Sequence, residues 1–207
     1  MNRIVKYTAW FFSSMLHPLI LMNFGLFSIL RFHPYFVSKF YDTHFYTISM
    51  FIAVNTLIMP LLTVYLLLKF RFIDDLQISN PKQRLLPYGI LVVLLVFTMY
   101  QLYKVELNGL PLVFMGASAV CLLLNILINI RYTISTHAIG CGGLTALYVY
   151  LTVFQHLSVF NVFLILAVLA SGIAGWARIY LNAHREHQIY TGFALGLSVV
   201  LLGCMLF

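Results

Sequence analysis

Charge is what this chain has least of. Of its 207 residues, 8% are Asp, Glu, Lys or Arg, and only five residues are acidic. So few charges cannot build the polar shell of a water-surrounded domain of this length, which excludes that class. Cysteine is scarce too. Cys121, Cys141 and Cys204 each stand alone inside an apolar run, so a disulfide framework and a paired-cysteine metal motif are excluded, and the thiols are expected to be small packing residues. Stretches rich in Pro, Gly or Ser that would mark a linker are missing, as are low-complexity tracts and clear repeats. The expectation is one integral membrane domain over 1–207.

What the chain does have is apolar length. Hydrophobic residues make up 62% of it, and a membrane-spanning helix needs about 20 mostly apolar residues. Seven such segments can be read, roughly Thr8–Leu30, Phe45–Leu68, Leu86–Tyr103, Pro111–Ile130, Ala138–Phe154, Val159–Tyr180 and Ile189–Phe207. The predicted fold class is therefore all-α, a polytopic transmembrane bundle of six to seven spans. Arg3 and Lys6 ahead of the first segment resemble a signal peptide, but that segment is long enough to span and Met15-Leu16-His17 is a poor cleavage site, so a retained helix is expected. His17-Pro18 should kink or break it. The fifth segment is the least regular, because Gly140, Gly142 and Gly143 near its start suit either a packing helix or one with an unwound entrance. Gly192/Gly196 and Ser171/Gly175 are small-x3-small pairs, suited to internal packing or to a homodimer contact. Asn125 and Asn129, one turn apart, are expected to tie their helix to a neighbour.

Three polar stretches interrupt the apolar text: Ser79-Asn80-Pro81-Lys82-Gln83-Arg84 with Pro87, Ser135-Thr136-His137, and Arg178-x5-His184-x3-Gln188. With seven spans, they fall in the connections after the second, fourth and sixth, all on the side of the N-terminus. Arg3, Lys6, Lys69, Arg71, Lys82, Arg84, Arg131, Arg178 and Arg185 lie on that side, against Arg31, Lys39 and Lys104 on the other. Taken plainly, this bias puts the polar face in the cytoplasm. Without Lys82, Arg84, Arg131, Arg178 and Arg185, which have chemical uses, the balance is nearly even. The basic residues sit at segment ends, the habit of topology signals and lipid-headgroup contacts and not of nucleic-acid binding.

These residue types suit phosphoryl transfer, which needs an in-line nucleophile, positive groups around the equatorial oxygens and an acid opposite. If the chain is helical at His184, Gln188 shares its face. An imidazole held through one nitrogen presents the other as nucleophile or base. Arg178 can bind phosphate oxygens, His137 can protonate a leaving oxygen, and Arg84 with Lys82 can complete the cradle. His137, His184, Arg178 and Arg84 are expected to converge.

The order of a Lys/Arg stretch, Ser-x-His and Arg-x5-His-x3-acceptor resembles the type-2 phosphatidic acid phosphatase superfamily, whose motifs read K-x6-R-P, P-S-G-H and S-R-x5-H-x3-D. The resemblance covers the chain from about Ser79 onward and leaves the first two helices without a motif. It implies a metal-independent membrane phosphatase, without cofactor, acting on a lipid phosphate through a phosphohistidine. His184 would be the nucleophile, His137 the acid, Gln188 the imidazole's acceptor, Arg178 and Arg84 the phosphate ligands, and Ser135 a hydrogen-bond donor. The chain departs from the pattern at several positions. Gln188 replaces Asp, Ala177 replaces Ser, Ile134 and Thr136 replace the Pro and Gly before His137, Gln77 stands at the lysine position, so that Lys82 would substitute, and Pro87 lies three residues after Arg84. A neutral amide orients an imidazole but cannot neutralise its cation. The alternative is thus a catalytically impaired relative that binds lipid phosphate as sensor, scaffold or transporter. Small bacterial membrane proteins share the pattern, glutamine included, which implies a bacterial inner membrane.

Other readings compete. Polar residues at membrane ends can be plain interfacial anchors. His184 and His187, three apart with Glu186 between them, suggest metal binding, but a third ligand is not evident. Asp74-Asp75 starts a prenyltransferase-like reading, but the second acidic cluster is missing. That pair is better placed to cap a loop or balance Arg71.

Overall fold

The computed structural model describes residues 3–40, 42–75, 78 and 81–206. Among these residues every regular element is helical: α1 (Arg3–Met15), α2 (Pro18–Phe32), α3 (Pro34–Lys39), α4 (Asp42–Ala53), α5 (Met59–Lys69), α6 (Leu85–Lys104), α7 (Leu110–Asn129), α8 (Thr136–Val149), α9 (Asn161–Tyr180) and α10 (Glu186–Met205). Short 3₁₀ and π turns join some of them. Six stretches are long and apolar enough to cross a membrane: His44–Lys69, Leu85–Lys104, Leu110–Asn129, Thr136–Phe154, Ser158–Tyr180 and Glu186–Met205. The protein is an integral membrane protein with the all-α polytopic fold that its apolar segments predict. Large apolar side chains stay exposed, as on α9 at Ile165, Leu166, Val168 and Leu169, which suits a lipid-facing surface.

The first apolar segment is broken where His17-Pro18 predicts. Helices α1 and α2 meet at a bend of 49°. Pro18 has no N–H and cannot continue α1, so His17 caps a new helix. Its carbonyl accepts from the amides of Ile20 and Leu21, and its ring Nδ1 accepts from the amide of Leu19 at 3.3 Å. A different solution appears at Pro60. Here α4 and α5 run on as one rod through a π turn, Val54–Ile58, in which Met59 N–H reaches Val54 O. Widening the turn relieves the clash that a proline ring makes with the carbonyl four residues back. Thr56 Oγ1 donates to Ile52 O (2.8 Å) and Asn55 Nδ2 to Phe51 O (2.9 Å), which satisfies carbonyls that water cannot reach.

The chain forms two compact units, one of Met1–Gly25 with Ile134–Phe207, the other of Leu26–Thr133. In the first, α8 is central, packed against both α10 and α9, and α1 packs against α9. The spanning window of α8 is 61% buried, against 22% for α9 and α10. That accounts for its glycines and its weaker apolar character: α8 faces helices and not lipid. Its N-terminal end is a capped, continuous helix from Thr136, so the glycines serve packing and no unwound entrance occurs. A Cβ at Gly142 would strike Phe193 O and Leu197 N, and one at Gly196 would strike Ile139 O and Gly143 N. The small-x3-small pair Gly192/Gly196 is therefore an internal α8–α10 contact. In the second unit α6 packs on α7 and on α5. Asn129 Nδ2 donates to Asn125 Oδ1 at 2.8 Å, so these two amides join each other along α7. Asp74 closes a loop with Gln83: Gln83 Nε2 donates to Asp74 Oδ2 (2.8 Å) and Asp74 N–H to Gln83 Oε1 (3.1 Å).

Candidate functional site

In the first unit the end of α9 and the starts of α8 and α10 carry the polar residues, and each position has a local cause. Helix α9 ends in a Schellman turn. Asn182 takes the left-handed conformation (φ 53°), Asn182 N–H bonds Ile179 O at 2.9 Å, and Ala183 N–H bonds Arg178 O at 3.0 Å. The next amide, that of His184, also points at Arg178 O (3.4 Å). The Arg-x5-His spacing is thus the length of a helix C-cap that folds His184 back over the turn carrying Arg178.

Helix α10 begins at Glu186, with Arg185 as its N-cap, so His184 precedes the helix. The expected contact with Gln188 forms for another reason than a shared helical face. Gln188 is the third residue of α10, and its Oε1 reaches back to accept from Arg185 N–H at 3.0 Å, the glutamine half of a capping box. The same oxygen lies 3.2 Å from His184 Nδ1. A backbone N–H can only donate, so the atom facing it is the amide oxygen, and His184 Nδ1 must donate its proton to that oxygen. This fixes the neutral tautomer and leaves the lone pair on Nε2. His184 is half-buried.

Helix α8 begins with Ser135 as N-cap. Its Oγ accepts from Ala138 N–H (3.4 Å) and its own N–H bonds Gln188 O at 3.1 Å, which ties this start to that of α10. The close approach requires Gly192, where a Cβ would lie 2.7 Å from Ser135 O. Ser135 is fully buried. Its visible work is to place His137 on the first turn of α8.

His137 and Arg178 then meet a residue that the motifs do not include. His137 Nε2 lies 3.1 Å from Ser13 O, and Arg178 Nη1 donates to Ser13 Oγ at 3.1 Å. A carbonyl only accepts, so Nε2 of His137 carries a proton and its lone pair sits on Nδ1. The ring of His17 stands edge-on to that of His137, centroids 5.4 Å apart at 85°. Arg178, His17 and His184 are the ionisable groups whose fields reach His137. Arg178 is only 9% exposed.

The structure therefore gathers His137, Arg178, His184, Gln188 and Ser135 in one unit. Arg84 belongs to the other unit, where it is also buried and its Nε donates to Ile78 O at 2.9 Å. The side chain of Lys82, like Gln77, Ser79 and Asn80, lies outside the described residues. Sequence reasoning missed Ser13 and His17. The signal was present in His17-Pro18, a polar pair inside an apolar segment, but it was read for its kink and not for its ring. Among the described residues, no three His, Cys, Asp or Glu side chains are grouped to hold a metal ion. Compared with models of known families, with curated proteins and with solved structures, the chain finds no match.

Proposed function

We propose that this protein is a divergent type-2 phosphatidic acid phosphatase, seated in a bacterial inner membrane, that removes phosphate from a lipid phosphate or pyrophosphate. The substrate classes that fit are an isoprenoid carrier, phosphatidate or a phosphorylated glycolipid. The observation that carries this reading is the tautomer of His184. The Gln188 oxygen, itself oriented by Arg185 N–H, holds the Nδ1 proton and leaves Nε2 nucleophilic. In the reaction, Nε2 attacks phosphorus and the bond from phosphorus to the leaving oxygen breaks. Arg178 binds the equatorial oxygens as charge builds on them. His137, held at Nε2 by the Ser13 carbonyl, takes the proton of the bound phosphate monoanion on the lone pair of Nδ1 and passes it to the leaving oxygen. Water, giving its proton back to His137, then attacks the phosphohistidine, and the P–N bond breaks to release phosphate.

One observation favours a second reading, a relative that binds lipid phosphate without turning it over. The acceptor of His184 Nδ1 is a neutral amide already shared with a backbone N–H, and an amide does not offset by charge the imidazolium that forms as Nε2 bonds phosphorus. The test is phosphate release by detergent-purified protein from phosphatidate and from a polyprenyl pyrophosphate, with chelator present. Turnover by wild type, abolished in His184→Ala, is expected. Undiminished turnover by His184→Ala removes the nucleophile assignment. Binding of lipid phosphate without release by wild type selects the second reading.

A further inference from the structure

Helix α1 carries no motif of the family that the chain resembles, yet one of its residues touches both arms of the site. Ser13 is 6% exposed. Its side-chain oxygen accepts from Arg178 Nη1 and its main-chain oxygen faces His137 Nε2, each at 3.1 Å. We propose that Ser13 is a positioning residue for the phosphate site: by holding the guanidinium through its hydroxyl and the imidazole through its carbonyl, it sets the spacing between the anion-binding group and the proton-donating group. This rests on the phosphate-site reading above.

The physical case begins with Arg178. A guanidinium has five donors in one rigid plane and accepts nothing. An acceptor placed on Nη1 fixes the rotation of that plane, and so fixes which N–H groups remain to meet an anion. Ser13 is buried, so water does not readily take over when its hydroxyl is removed. His137 is held differently. Its acceptor is a backbone carbonyl within a helix, which fixes the tautomer as a carboxylate would but adds no charge. Both contacts start from one residue, so a single turn of α1 acts as the spacer between them. Helix α1 is itself fixed by packing along α9, the helix that bears Arg178. Four residues on, His17 caps α2 and lays its ring edge against His137, so the break in the first span occurs beside the site.

Side-chain and main-chain roles separate by mutation. Ser13→Ala deletes the Arg178 contact and leaves the carbonyl for His137; Ser13→Thr keeps both. The probe is inorganic phosphate, titrated calorimetrically into the full-length protein in detergent. Ser13→Ala is expected to weaken phosphate binding about tenfold, the usual scale for one hydrogen bond to a charged group, while Ser13→Thr stays within about twofold of wild type. In an Arg178→Lys background, where the planar fork is gone, Ser13→Ala should change affinity by less than about threefold, a non-additivity that a general packing defect does not produce. If Ser13→Ala does not fold, Ser13→Cys keeps the volume, removes the strong acceptor and serves in its place. Wild-type affinity in Ser13→Ala, or an equal loss in the Arg178→Lys background, overturns the positioning role and leaves the phosphate-site reading standing. Wild-type protein that binds no phosphate overturns both.

Discussion

At the scale of single residues, the Gln188 amide has two tasks on one oxygen: it starts α10 by accepting from Arg185 N–H, and it orients His184. A substitution here tests chemistry only if it preserves the start of the helix. Glutamate does so. It has the same reach as glutamine, remains a capping-box residue, and puts its charge where a helix N-terminus favours it. Aspartate restores a carboxylate one methylene short of both partners. The expected outcome is that Gln188→Glu raises phosphate release at least about tenfold, a small part of the roughly 10⁴-fold that the carboxylate-to-amide change costs in a serine-protease triad. Phosphate release from one lipid micelle preparation by both proteins decides it. A slower Gln188→Glu would mean that the neutral amide is no handicap.

At the scale of elements, α8 and α10 touch through their backbones. Gly142 and Gly196 leave no room for a side chain, whereas a Cβ at Gly172 on α9 meets nothing within 4 Å. Gly196→Leu is therefore expected to force the two helices apart at a cost of about 2 kcal/mol or more. It should lower the midpoint of thermal unfolding in detergent and weaken phosphate binding, although residue 196 lies two turns along α10 from Gln188. Gly172→Leu should do neither. Equal melting of the two variants would show that the α8–α10 contact is not what holds the site together. These helices were legible in sequence because bilayer thickness fixes the length of an apolar run, and the His184–Gln188 contact was legible from spacing. Its cause was not. A capping box and a Schellman turn give the same neighbours as a continuous helix, so spacing alone could not tell them apart. Ser13 was hidden for a plainer reason. Ser13 stands next to Ser14 near the end of α1, nothing local tells the two apart, and the partners of Ser13 lie 124 and 165 residues away.

At the scale of the whole molecule, the path of the first segment sets the number of crossings. Helices α1 and α2, bent by 49°, pass as a span only when taken together. Seven crossings predict that Lys6→Cys and Asn182→Cys react with a membrane-impermeant maleimide from one face, and Lys39→Cys and His156→Cys from the other. All four positions are exposed, and the native thiols Cys121, Cys141 and Cys204 are buried, so the background should be low. Labelling of Lys39→Cys from the same face as Lys6→Cys would make α1 and α2 a re-entrant pair and leave six spans. The same labelling on intact cells assigns the polar face to one compartment, which the near-even balance of Lys and Arg outside the candidate site residues does not.

The pairing of Ser13 with Arg178 also bears on how the protein is made. The serine leaves the ribosome 165 residues ahead of its arginine. At about 5–20 residues per second, that interval is roughly ten to thirty seconds. Through all of it Ser13 waits without Arg178, and through most of it Ser13 and His17 wait without His137. A nascent chain halted after α7 holds α1 but not α8, α9 and α10, which complete its unit. Unfinished copies therefore differ from finished ones by polar groups left in lipid, a difference that a membrane quality-control protease can recognise.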